Sequence, residues 1–161
     1  MRNEIIVRVA DLRAGSGSDV LVTIGLGSCV AILLYDATAR VGGLAHVLLP
    51  SPALSRKDGN AAKFPQTAVP RLVELMCEKG ASIRRMSARL VGGASMFSGL
   101  GAPGTIQMGE RNIVASRQAL HHQGIAIVGE ATGGDFGRTV RLSVADGRVE
   151  ISSVAHGVQI L

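Results

Sequence analysis

An α+β domain of layered, mostly antiparallel β-sheets with flanking helices is what this sequence predicts, and three observations carry that expectation. Short runs rich in Val, Ile and Leu recur between turn signals. Two stretches, near 68–80 and 110–124, space their apolar residues as helices do, and the 21 glycines require many tight turns or close backbone approaches. At 161 residues, with 47% apolar and 2% aromatic side chains, one domain spanning 1–161 with an aliphatic core is expected.

The elements follow in order. EIIVR (4–8) reads as a first strand, RAGSGSD (13–19) as a Gly/Ser-rich loop, and VLVTIG resumes extended structure. The residues from Cys29 to Tyr35 are continuously apolar, DATAR supplies a turn, and VGGLAHVLLP returns as far as Pro50, which together make a candidate β-hairpin. The polar loop SPALSRKDGNAAK (51–63) precedes a helix on which Ala68, Val69, Leu72, Val73 and Met76 share a face, with Pro70 in its first turn and Gly80 as its C-terminal cap. MSARLVGG reads as a strand stopped by two glycines. After the loop SGLGAPGT, a second helix runs from about Glu110 or Asn112 to Gln123, closed by Gly124, with Ile113, Val114 and Leu120 buried. The last third reads as strand 125–130, loop ATGGDFG, strand 138–144, an Asp146-Gly147 turn and strand 148–154.

Seventeen Lys and Arg against twelve Asp and Glu give a net charge of +5, which suits an acidic partner. Three Phe, one Tyr and no Trp leave little on which bases could stack, so an acidic protein surface fits better than nucleic acid. The N-terminal residues lack the apolar core of a secretory signal, no apolar run is long enough to enter and cross a bilayer, and two cysteines are too few for a disulfide framework. A cytoplasmic protein with free thiols is expected.

The candidate chemistry lies in the hairpin. A turn centred on residues 37–39 makes facing residue numbers add to about 75–77, which sets Cys29 opposite a residue between 46 and 48, with His46 at one edge. In the register that opposes them directly the two side chains share a face, and one step of slippage separates their faces. A thiol beside an imidazole supports acyl transfer: the imidazole takes the proton, the sulfur attacks a carbonyl carbon, and the imidazolium protonates the leaving group. Gly25, Gly27 and Ser28 keep the approach bare, so that amide N–H groups around 27–29 can face the oxyanion, and the Thr23 hydroxyl is placed to orient the far imidazole nitrogen. Against this stands packing alone, the commoner fate of a lone cysteine before an aliphatic run and of a single histidine.

Other features read as structural. Cys77, within the first helix, has no nearby partner. The adjacent His121 and His122 make a poor chelate, so no metal site is expected, and Gly92-Gly93 and Gly133-Gly134 belong to no phosphate-binding unit. Arg84, Arg85 and Arg89 form either a solvated face or one for acidic partners.

The blocks TIGLGSCVAILLYD, GGLAHVLLP, RLVGGASMF, GERN and ATGGDFGRTV, in that order over about residues 20–145, resemble the chemoreceptor glutamine deamidase family, CheD. The resemblance implies an enzyme of chemotaxis that hydrolyses glutamine side-chain amides on chemoreceptors to glutamate and ammonia, without metal or organic cofactor. It also implies a fold similar to that of the cytotoxic necrotizing factor deamidases. On the matching blocks the catalytic residues are Cys29, His46 and Thr23. The phosphatase CheC is the implied partner, with Phe97 near the surface it shares with receptors. The alternative is a non-enzymatic adaptor that docks on receptors or on CheC.

Overall fold

The run that is apolar on both faces becomes the middle of a sheet. The computed structural model describes residues 2–54, 59–95 and 107–161. In chain order these form strands β1 (Glu4–Ile6), β2 (Leu12–Ser16), β3 (Val20–Leu26), β4 (Val30–Asp36) and β5 (Val41–Val47), helix α1 (Pro65–Glu78), strand β6 (Met86–Gly92) and helix α2 (Met108–His122). Strands β7 (Ala126–Thr132), β8 (Arg138–Ser143), β9 (Arg148–Ser153) and β10 (Gly157–Ile160) complete them. The strands make two five-stranded sheets, β1-β3-β8-β9-β10 and β2-β5-β4-β6-β7. Each is mixed, since β1 runs parallel to β3 and β6 parallel to β7, while the remaining neighbours are antiparallel.

The layers follow from the side-chain pattern. All seven residues of β4 and of β5 are buried because that sheet is covered twice, by the other sheet on one side and by both helices on the other. Val30, Ile32 and Leu34 face the helices, together with Leu72, Met76 and Leu120, whereas Ala31, Leu33 and Leu44 meet Leu142, Val149 and Ile151 between the sheets. A Cβ on Gly43 would lie 2.8 Å from the Leu72 and Met76 side chains, so the glycine lets α1 sit close to β5. In β8, by contrast, Val140 and Leu142 point inward and Thr139, Arg141 and Ser143 outward, the alternation of a sheet with one solvated face. Both helices therefore lie on one sheet, whereas helices over the outer faces of both were expected; among the described residues the other sheet has no helix upon it.

Three local expectations need correction. Residues 12–16 form β2 rather than a loop, because β5 offers its backbone as a partner for Ala14 and Gly15, and a ladder of that kind overrides weak strand propensity. Helix α1 begins at Pro65, so Pro70 sits in the second turn; it is exposed, where water can satisfy the carbonyl it leaves unbonded. On α2 the buried stripe is Gly109, Asn112, Ile113, Ser116 and Leu120, which turns Val114 outward to 42% exposure. Edge strand β10, exposed along its length, carries too short a pattern to be recognised in sequence.

Asp36 ends β4 and ties the hairpin turn to the segment after α1. Fully buried, its carboxylate accepts hydrogen bonds from the N–H groups of Thr38 (3.0 Å), Ala39 (3.1 Å) and Ser82 (2.9 Å) and from the Arg85 guanidinium (3.1 Å). Burial pushes this carboxyl up, but Arg85 and the backbone donors outweigh it and hold it below the usual carboxylate range. A depressed folded-state value stabilises the fold above the ordinary carboxylate pKa, and that contribution disappears as pH falls through the depressed one. Asp36→Ala is expected to cost about 2–4 kcal/mol in urea unfolding at neutral pH, and the gap to wild type to narrow as pH falls below about 4.

Candidate active site

The chain crosses from one sheet to the other between Val7 and Leu12, and this crossing holds His46 by its main chain. The His46 N–H donates to the Asp11 carbonyl (3.0 Å), and the His46 carbonyl accepts from the Ala10 N–H (2.9 Å). Its imidazole lies fully buried between the sheets. There Nδ1 meets the Thr23 hydroxyl from β3 at 2.7 Å, and the same hydroxyl donates to the Val7 carbonyl at 2.6 Å. A hydroxyl has one proton, and the carbonyl can only accept, so the Thr23 oxygen must accept from Nδ1–H. The proton is thereby fixed on Nδ1 and a lone pair on Nε2, the tautomer a general base requires. Nε2 is buried without a hydrogen-bond partner among the described residues. Burial pushes the imidazole pKa down to about 4, so the ring is neutral at physiological pH.

Thr23 reaches inward through an irregularity in β3. Thr23 pairs with Val140 and Leu26 with Arg138, which leaves one extra residue on β3, a bulge at Ile24 and Gly25. Residues three apart in a regular strand point to opposite faces; here both Thr23 and Leu26 point in. Gly25 has φ +78°, a conformation in which side-chained residues are strained. The bulge also exposes Ile24, which with Phe136, Arg138 and Val154 lines an open groove of about 630 Å³ at the same end of the sheets.

Cys29 stands just before β4 in a bend whose carbonyls are all engaged. Those of Gly27 and Cys29 accept from Ala94 N–H and Gly93 N–H, each at 2.8 Å, and that of Ser28 from the Asn112 side-chain amide at 2.9 Å. Gly92, at φ +108°, has to be glycine, because a Cβ there would fall 2.4 Å from the Cys29 oxygen. The thiol is half-buried and packs against the cluster between the sheets; burial raises its pKa, with the residue's own N–H acting in the opposite direction.

The hairpin register pairs Ala31 with His46 and Val30 with Val47. This is one end of the anticipated range, two steps from the register that opposes Cys29 directly to His46. Parity is kept: continued one residue beyond the ladder, the register sets Cys29 diagonally from His46, on the inter-sheet face where its side chain packs. The structure thus joins His46 to Thr23 and puts Cys29 on their side without a thiol–imidazole hydrogen bond. Gly27 and Ser28 lie in the Cys29 bend, and Phe97 lies outside the described residues.

Sequence reasoning missed Asn112 and the Val7 carbonyl. The signal for Asn112 was a polar residue on the buried stripe of an amphipathic helix; a main-chain acceptor leaves none. Cys77 is exposed on α1, and Arg85 is engaged by Asp36. Among the described residues no three His, Cys, Asp or Glu side chains are grouped to hold a metal ion, and no helix is long and apolar enough to cross a membrane.

Nitrogen chemical shifts should find His46 neutral with its proton on Nδ1, titrating only near pH 4. Thr23→Val removes the acceptor that selects this tautomer, and a mixture of the two neutral forms is expected in its spectrum.

Residues 48–153 match the family model described as CheD chemotactic sensory transduction. The chain is 40% identical over 162 residues to a probable chemoreceptor glutamine deamidase CheD of Caldanaerobacter subterraneus, covering the whole of both proteins. Proteins of the same name match at 39% identity in Clostridium novyi, over 99% of each chain, and at 41% in Pyrococcus abyssi, over 98% of this chain and 96% of that one. Full-length similarity at this level, together with the family match, establishes that the chain belongs to the CheD family of chemoreceptor glutamine deamidases.

Proposed function

We propose that this chain, acting as one domain, hydrolyses the side-chain amides of glutamines on chemoreceptors through a thioester on Cys29. The observation that carries the reading is the orphaned lone pair on His46 Nε2, held there by the Thr23 hydroxyl and buried on the face to which Cys29 belongs. A buried polar atom left without a partner destabilises a fold, and its persistence at the centre of a thiol–imidazole–hydroxyl set points to use.

The reaction starts from a neutral pair, since burial lowers the imidazole pKa and raises that of the thiol. As Sγ bonds to the glutamine Cδ, its proton passes to Nε2 and the amide oxygen becomes an oxyanion, faced by main-chain N–H groups of the Gly27–Cys29 bend. Collapse breaks the C–N bond, and the proton on Nε2 goes to the departing nitrogen, giving ammonia and a thioester. Water then attacks the thioester while Nε2 takes its proton. The second collapse releases glutamate and returns a proton to the sulfur. No step needs a metal or organic cofactor. Catalytic hydrogen bonds are commonly long in free enzymes and tighten with substrate, which accounts for the diagonal spacing of Cys29 and His46.

The groove beside Ile24 and Phe136 opens at the same end of the sheets and suits the approach of a receptor helix, and the net charge of +5 favours acidic helices. The family resemblance supports a cytoplasmic setting, CheC as a second partner, Phe97 near the shared surface, and kinship of fold with the cytotoxic necrotizing factor deamidases.

The test follows ammonia release and a mass gain of about 1 Da on receptor peptides. Wild type is expected to be active and Cys29→Ala inert; equal activity of the two would leave an adaptor acting by occupancy. His46→Gln should lose about 10²–10⁴-fold in kcat. The pH profile distinguishes a neutral pair from a preformed thiolate–imidazolium. The acid limb should fall near pH 4, where His46 protonates, and alkylation of Cys29 by iodoacetamide should keep accelerating past the ordinary thiol range.

A further inference from the structure

Asn112, in the first turns of α2, is fully buried and spends both protons of its side-chain amide on two main-chain carbonyls. One is that of Ser28, at 2.9 Å; the other is that of Leu48, at 3.2 Å. The first belongs to the peptide that joins Ser28 to Cys29, the second to the residue that follows β5, the strand carrying His46. A single amide thus bonds the nucleophile bend to the strand of the base.

The direction of the first bond matters more than its presence. In a trans peptide the C=O and N–H point opposite ways. Asn112 lies in the helix layer, so a Ser28 carbonyl turned toward it aims the Cys29 N–H away from that layer, to the inter-sheet side where the Cys29 side chain packs. An N–H held there stands beside the atom the sulfur attacks, and a hydrogen bond accepted by the carbonyl of the same peptide strengthens its partner N–H as a donor. The Asn112 oxygen, meanwhile, is buried with no partner among the described residues. An acceptor left unmet is a net loss for folding, which argues that this side chain serves its donors' geometry rather than stability.

We propose that Asn112 is a positioning residue for deamidation: through Ser28 it orients the Cys29 N–H toward the oxyanion, and through Leu48 it fixes the bend against the strand of His46. The inference rests on the deamidase reading given above. Gly92 permits this backbone arrangement; Asn112 selects its orientation.

The test uses Asn112→Leu, close in shape but without donors, and Asn112→Ala, with folding followed by circular dichroism. Both are expected to fold, to retain KM for a receptor peptide within about threefold, and to lose about 10²–10³-fold in kcat, the cost of one misplaced oxyanion donor. A peptide with an aldehyde in place of the target amide adds to the thiol and leaves its oxygen in the same position. Its affinity should fall in proportion to kcat, while alkylation of Cys29 by iodoacetamide, which forms no such oxyanion, should change less than threefold.

Unchanged kcat in the variants, or aldehyde affinity equal to wild type, overturns the proposal. So does an alkylation rate that falls in step with kcat, which would move the role to the thiol, or loss of the folded state in both variants, which would assign Asn112 to stability. A wild-type chain that releases no ammonia removes the deamidase reading and this inference with it. An active wild type beside an equally active Asn112→Leu removes the inference alone.

Discussion

A hydroxyl group has one proton to give, and much of this site follows from where Thr23 gives it. Committed to the Val7 carbonyl at 2.6 Å, the oxygen has only lone pairs left for His46, so the imidazole must present Nδ1–H to it and a bare Nε2 to the other side. A valine would fill the same space and leave the tautomer undetermined. The tautomer of His46 is therefore set by a main-chain carbonyl two hydrogen bonds away, and the crossing segment that provides it also grips the backbone of His46 through Ala10 and Asp11.

Cys29 is held by comparable means from the opposite layer. Three successive carbonyls, of Gly27, Ser28 and Cys29, point at donors from the exit of β6 and from α2, which fixes the intervening peptide planes with little help from side-chain packing. Burial meanwhile keeps both reacting groups uncharged. A site arranged in this way stores no ion pair in its resting state; in the proposed reaction, charge appears only when an amide oxygen arrives to accept it.

Much of the architecture was legible because burial writes itself into side-chain pattern. The uninterrupted apolar run from Cys29 to Tyr35 and the run after Arg138 marked strands, and Gly80, Gly124 and Asp146-Gly147 marked real ends and turns. The strand at 12–16 was illegible since its ladder comes from β5, and glycine and serine carry no trace of a partner. For the site, residue types brought Cys29 and His46 into one hairpin, but the range of registers spanned both parities, so neither a shared face nor the choice between direct and diagonal pairing was fixed; both depend on a turn two residues longer than the shortest possibility. Asn112 was hidden for a different reason: hydrophobic periodicity treats a buried polar residue as noise.

The tether of His46 spans two sheets, Thr23 rising from one and the imidazole from the other, and their spacing is set by the packing of residues such as Leu44, Leu142 and Val149 and by the Tyr35 hydroxyl, which donates across the layers to the Val144 carbonyl at 2.7 Å. The 2.7 Å bond between His46 and Thr23 is thus a gauge of inter-sheet spacing. Drawing the sheets apart by roughly 1 Å along that bond would carry it beyond hydrogen-bonding range and release the tautomer, so the protonation pattern of His46 depends on how tightly the two layers close on each other.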